Sequence, residues 1–240
     1  MPGRTFTIGD VHGCARELET LLGGLPLARG DAVVCVGDYV DRGPDSRAVL
    51  DLLLALRDRD DVETVFLRGN HEEMALAYLG RGGRYGEAWG LNGGAATLRS
   101  YGLDARTPGR EVARALPPAH LAFLESLVLS HRAAGHLVVH AGIRPDRALA
   151  EQDEEDLLWI REEFVMRPHA LPDTVVFGHT PHRDVLVDLP YKIGIDTGCV
   201  YGGALTALEL GERRLFQVRA GERRVRTAPL PAPRRAARPG

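Results

Sequence analysis

At 240 residues with 44% hydrophobic content the chain is long enough to bury a core. Its formal charge of −3 excludes a whole-chain attraction to nucleic acid or to an anionic membrane. No apolar run approaches the roughly 20 residues of a membrane-spanning helix, and a strand expected to start near Arg4 predicts that no leader peptide precedes it. The 3 cysteines, Cys14, Cys35 and Cys199, are scattered without a CxxC pair, which predicts a reduced, cytoplasmic setting.

Residues 4–9, RTFTIG, read as a strand that ends at Asp10. In CARELETLLGGL, Leu18, Leu21 and Leu22 share one helical face, and Gly23-Gly24 stops the pattern. DAVVCVG (31–37) is a continuous apolar run, as expected of a strand covered on both faces. Ser46 predicts an N-cap for a helix to about Arg59, with Val49, Leu50, Leu53 and Leu54 turned inward. VETVFL (62–67) is the next strand, and His71 opens another helix. This alternation predicts an α/β domain over residues 1–220 with a largely parallel central sheet.

Residues 78–130 break the alternation. The stretch is Gly-rich, carries Tyr85 and Trp89, and reads as short helices that cap the site, followed by a helix over PPAHLAFLESLVL. Strand patterns return at HLVVH (136–140), TVVFG (174–178) and KIGID (192–196). LTALEL (205–210) and LFQVR (215–219) then read as an antiparallel pair around GERR. The segment 221–240, ending APLPAPRRAARPG, predicts a disordered tail whose arginines are solvated.

The chemistry lies in five Gly-punctuated motifs, each following an apolar strand-like run: GDVHG, GDYVDRG, RGNHE, HAG and GHT. They carry Asp10, His12, Asp38, Asn70, His140 and His179, oxygen and imidazole donors that strand ends could bring to one point. Three carboxylate or amide oxygens with three imidazoles suit two moderately hard divalent ions that share one carboxylate, and Asp38 is the natural bridge. Two such ions about 3.5–4 Å apart favour in-line attack of hydroxide on phosphorus, with no covalent enzyme intermediate. His71 is the candidate general acid for the leaving oxygen, with Asp41 orienting its ring. Arg42, and Arg161 in LLWIREEF, are candidate phosphate clamps, although Arg161 also reads as a solvated residue beside Glu162 and Glu163. Arg68 reads as a loop brace.

These motifs resemble the metallophosphoesterase superfamily, and within it the compact bacterial and phage branch of the serine/threonine phosphoprotein phosphatases. The resemblance runs from about Thr5 to Leu210. It implies a calcineurin-like fold, two mixed β-sheets in a sandwich flanked by α-helices. It also implies Asp10, His12 and Asp38 around one ion and Asp38, Asn70, His140 and His179 around the other, with manganese preferred over iron or zinc. The implied substrate is a phosphorylated protein or small phosphoester, not nucleic acid or a membrane. GDYVDRG, GNHE and GHT are similar to protein phosphatases and favour phosphoserine or phosphothreonine. The opening GDVHGC and the ending DTGCVYGGALTALEL resemble symmetrical dinucleoside tetraphosphate hydrolases, which is the alternative activity.

Overall fold

The computed structural model describes residues 3–232. Strands β1 (Thr5–Ile8), β2 (Asp31–Cys35) and β3 (Val62–Phe66) alternate with helices α1 (Ala15–Gly24), α2 (Ser46–Arg57) and α3 (Asn70–Tyr78), and the three strands pair in parallel. The short helices α4 (Ala95–Ser100), α5 (Gly109–Ala115) and α6 (Pro118–Glu125) follow. Beyond them come β4 (Ser130–Ala133), β5 (His136–Val139), α7 (Glu154–Trp159), α8 (Glu162–Val165) and β6 (Thr174–Phe177). The chain then forms β7 (Leu186–Asp188), β8 (Lys192–Gly194), β9 (Ala204–Glu209), β10 (Arg214–Arg219) and β11 (Val225–Pro229).

Two sheets result, one ordered β11-β10-β9-β1-β2-β3 and the other β4-β5-β6-β8-β7. Both are mixed. The parallel run expected from the early alternation stops at β1, whose other edge takes β9 antiparallel, so the central sheet is not largely parallel. The βαβ units explain the first half, whereas the hairpin of β9 and β10 returns to the free edge of β1.

Period-two alternation sorts the apolar residues into layers. Val34 of β2, Val138 of β5, Val176 of β6 and Leu208 of β9 fill the space between the sheets. Val33 and Cys35 of β2 face the other way, against Leu18, Leu21, Leu50 and Leu53 of α1 and α2. In the second sheet Leu137, Val139, Val175 and Phe177 turn outward onto Leu157 and Phe164 of the α7–α8 region. A strand with helices on one side and a sheet on the other has no solvated face. That is why DAVVCVG and TVVFG read as continuous apolar runs.

Several local expectations are corrected. Ser46 is not the cap of α2: Asp45 accepts the Ala48 amide (2.9 Å), and the buried Ser46 hydroxyl instead meets the Asp41 amide (3.0 Å). The helix stops at Arg57 rather than Arg59. Part of the tail expected over 221–240 is a strand: Val225–Pro229 pairs antiparallel with β10 in the register Arg214↔Pro229 to Val218↔Val225. The open edge of β10 supplies hydrogen-bonding partners that composition could not reveal, and a proline at an edge-strand terminus costs the ladder nothing. Residues 233–240 of that expected tail lie outside the described residues.

Lys192, the lysine of an otherwise arginine-only basic set, is fully buried in β8. Its Nζ donates to the carbonyls of Phe164 and Val165 at the end of α8 and of Arg167 just past it, and lies 4.7 Å from the Phe164 ring centroid. A lysine there gives the last carbonyls of a short helix a cationic donor. Lys192→Met keeps the stem but strands those acceptors, which costs about 1–3 kcal/mol. Thermal melting is expected to fall by about 2–4 °C for each kcal/mol lost. An unchanged melting temperature would show that the ammonium contributes nothing net.

Candidate active site

All six candidate ligands sit just past the carboxyl ends of parallel strands. Asp10 and His12 follow β1, Asp38 follows β2, Asn70 begins α3 after β3, His140 follows β5, and His179 follows β6. The site therefore lies where the strand ends of both sheets meet, as in other α/β folds. Backbone geometry marks the same residues. Eight described non-glycine residues have positive φ, and five of them are His12 (43°), Asp38 (52°), Asp41 (75°), Arg42 (65°) and His179 (61°). Left-handed backbone of this kind costs free energy and concentrates at functional sites. Glycines allow the close approach, since a Cβ on Gly178 would fall 2.0 Å from Asp10 Oδ1 and one on Gly69 would fall 2.2 Å from Asp38 Oδ1.

The hydrogen bonds behind the imidazoles fix which nitrogens face inward. His12 Nδ1–H donates to the Val40 carbonyl (3.0 Å), and His140 Nδ1–H donates to the Val36 carbonyl (2.9 Å). Each Nε2 is then a bare lone pair. That of His12 faces Asp38 Oδ2 at 3.3 Å, and that of His140 faces Asp38 Oδ1 at 3.4 Å and Asn70 Oδ1 at 3.0 Å. His179 Nδ1 also meets Asn70 Oδ1, at 2.9 Å. Apart from Arg42 Nη1, which donates to His12 Nε2 at 2.6 Å, acceptors thus point at acceptors, an arrangement that repels unless a cation lies among them. Backbone carbonyls holding the far nitrogens are the usual support of metal-binding histidines. The donor groups His12–Asp38–His71 and Asp38–His140–His179 each bring ligand atoms within 4.8 Å of one another, and they share Asp38.

The electrostatics agree. Burial lowers His12 to about 3 and also lowers His140 and His179, so all three imidazoles are neutral at pH 7, as ligands must be. Burial, then the neighbouring Asp196 and Asp38 carboxylates, hold Asp10 well above the ordinary carboxylate range. Burial lifts Asp196 to about 6 despite the Gly198 amide that it accepts. Several acids crowded in low dielectric raise each other's protonation unless positive charge offsets them, and the set fits divalent cations.

Asp41 and His71 lie against this cluster and are fully buried. His71 Nδ1 meets Asp41 Oδ2 at 2.7 Å, and the same carboxylate accepts Trp89 Nε1–H (2.8 Å) and the Thr97 hydroxyl (2.6 Å). A carboxylate that takes these donors leaves the Nδ1 proton on His71 and turns Nε2, which has no hydrogen-bond partner, to other work. Burial alone would lower His71, but Asp38 and Asp41 outweigh it and raise the imidazole above its usual range. Arg42 Nη1 reaches His12 Nε2 (2.6 Å), and its guanidinium lies 5.7 Å from the Tyr201 ring centroid. Arg161 is less committed: it is exposed, and its Nη1 donates to the His179 carbonyl (3.1 Å). Arg68 braces, pairing with Glu73 at 3.2 Å.

The structure adds residues that the sequence reading did not assign. Glu72 accepts the amides of Asp38 (2.8 Å), Tyr39 (2.7 Å), Val40 (3.2 Å) and Gly69 (2.9 Å), so one carboxylate ties the loop of Asp38 to the one that leads into Asn70. An acid at the third position of a helix opening at Asn70 is a capping signal and could have flagged it. Trp89 and Thr97 come from the Gly-rich segment and brace Asp41, and Asp196 brings a further buried carboxylate from DTGC. Nothing in the local pattern announces these three.

With this geometry in view, the comparisons with known proteins are direct. The profile of the calcineurin-like phosphoesterases matches residues 3–213, and the chain belongs to that family. Serine/threonine-protein phosphatase 1 of Salmonella typhimurium is 34% identical over 84% of this chain and 89% of its own length. An asymmetrical bis(5'-nucleosyl)-tetraphosphatase of Geobacillus thermodenitrificans is 31% identical, covering 88% of this chain and 92% of the relative. A crystal structure provisionally described as a diadenosine tetraphosphatase superposes with a TM-score of 0.69 at 28% identity, over 92% of this chain and 96% of that one. The chain is thus a phosphoesterase, a hydrolase of a family that uses divalent metal ions.

Proposed function

We propose that the chain is a two-metal phosphatase that hydrolyses phosphoserine and phosphothreonine in proteins, working in the cytoplasm. The observation that carries this reading is the pair of imidazole lone pairs facing opposite oxygens of Asp38, at 3.3 and 3.4 Å. Asp10, His12 and Asp38 would hold one ion and Asp38, Asn70, His140 and His179 the other, with manganese preferred over iron or zinc. Bound there, divalent ions supply a nucleophile at neutral pH and neutralise phosphate charge.

The chain's own groups do the rest. Arg42 and Arg161 bind the outer phosphate oxygens and favour the charge distribution of the transition state. His71 Nε2 gives its proton to the departing oxygen, while Asp41 fixes the ring through Nδ1. Trp89 and Thr97 hold Asp41 in turn. No helix among the described residues is long and apolar enough to cross a membrane.

The protein-phosphate reading is supported by the 34% identity to a protein phosphatase and by the intact GDYVDRG and GNHE motifs. A dinucleoside tetraphosphate is the second reading, favoured by Tyr201, whose ring is 61% exposed beside Arg42 and could stack on a nucleobase. With manganese, kcat/KM for a phosphothreonine peptide is expected to exceed that for diadenosine tetraphosphate by at least about 10-fold, or roughly 1.4 kcal/mol in transition-state binding. The reverse ratio would overturn the protein-phosphatase assignment and leave the two-metal reading standing.

A further inference from the structure

A second convergence of ligand atoms lies outside the site described above. The Cys14 and Cys199 thiols and the Glu17 carboxylate have donor atoms all within 4.8 Å of one another. Cys14 immediately precedes α1, Glu17 lies in its first turn, and Cys199 opens the short helical turn Cys199–Tyr201. Both thiols are buried, at 6% and 3% exposure. The carboxylate is held in place, since Glu17 Oε1 accepts the Gly221 amide (2.8 Å) from the turn between β10 and β11. Cys35 supplies the contrast. It is a free buried thiol packed among Phe6, Val33 and Leu53 as a small apolar residue, and belongs to no such group.

We infer that Cys14, Glu17 and Cys199 form a separate binding site for one thiophilic divalent ion of the zinc class. Two thiolates and a carboxylate are ligands that zinc accepts, and a water completes a tetrahedral shell. Metal–sulfur bonds of about 2.3 Å set two thiolates roughly 3.8 Å apart in that shell, a separation that thiols already within 4.8 Å of each other reach with little side-chain movement. Harder ions such as manganese prefer the oxygen-and-imidazole site, so softness of the ligands sorts the two sites. The bound ion ties the start of α1 to the turn that carries Tyr201, and through Tyr201 to Arg42. This inference does not depend on which phosphoester is hydrolysed or on the roles given to the imidazoles.

The test uses the full-length protein, freed of metal under reducing conditions, refilled with manganese and titrated with Co2+ as a spectroscopic stand-in for zinc. The expected result is a near-ultraviolet sulfur-to-cobalt charge-transfer band that saturates at one ion per chain and is erased by added Zn2+. The Cys14→Ser/Cys199→Ser variant is expected to lack the band and to bind one ion fewer. The Glu17→Gln variant should keep the band while binding Co2+ at least about 10-fold more weakly, a loss of the size seen when support to a metal site is removed. No band in the wild-type protein would overturn the site, as would a band that survives in the double serine variant. If that variant does not fold, an unchanged Co2+ affinity in Glu17→Gln overturns it instead. Cobalt in the imidazole-and-oxygen site gives no sulfur band, so failure here is distinguishable from failure of the two-metal reading.

Discussion

His71→Asn is expected to retain both ions yet lose about 10²–10⁴-fold in turnover, the range that a positioned general acid contributes. The geometry behind this is a ring pinned at one nitrogen. Nδ1 meets Asp41 at 2.7 Å, and Asp41 is itself held by Trp89 and Thr97, while Nε2 has no hydrogen-bond partner. Asparagine preserves a polar group of similar reach but cannot deliver a proton at neutral pH. Metal analysis beside kcat decides between two roles, because a His71 nitrogen also lies within 4.8 Å of ligand atoms of His12 and Asp38. Lost turnover with unchanged metal content assigns proton transfer, whereas joint loss of an ion and activity would make His71 a ligand. A further signature separates an acid from a merely structural residue. With a p-nitrophenyl ester the leaving oxygen needs little protonation, so the deficit should shrink well below that for a phosphothreonine peptide.

Much of this arrangement was legible in the sequence because each candidate ligand is announced locally. A Gly-flanked acid or imidazole at the end of an apolar run is a strand-end loop residue whatever the rest of the chain does. Asp10, Asp38, Asn70, His140 and His179 therefore fell where the runs placed them. Continuous apolar strands likewise foretold a layered core. Tertiary partners were not legible. Trp89 sits in a Gly-rich stretch without periodicity, and only packing brings its indole to Asp41. Cys14 and Cys199 are 185 positions apart in the numbering, and no spacing rule pairs them. Val225–Pro229 forms a strand because β10 offers an open edge, which is a property of its neighbour and not of its own residues. Asp45 took the capping role expected of Ser46 because the serine hydroxyl was already engaged with Asp41 and Thr97.

Asp38→Asn is expected to weaken both ions together, by more than the roughly 10–100-fold that removal of a supporting hydrogen bond costs a metal site. The two carboxylate oxygens point to different imidazoles, Oδ2 to His12 at 3.3 Å and Oδ1 to His140 at 3.4 Å, and Oδ1 also accepts the His71 amide at 3.1 Å. An asparagine offers one oxygen and one amide. If the oxygen keeps the His140 side, the amide donates into the His12 lone pair and takes the position of a cation; if it flips, the same happens to His140. Either orientation removes half of a shared bridge and blocks the lone pair opposite. By contrast, His12→Ala and His140→Ala should each weaken one ion more than the other. Stoichiometry from elemental analysis across a manganese titration reads this directly. Loss of one ion alone in Asp38→Asn, with the second bound at wild-type affinity, would show that Asp38 serves a single ion and that the two candidate ligand groups are independent.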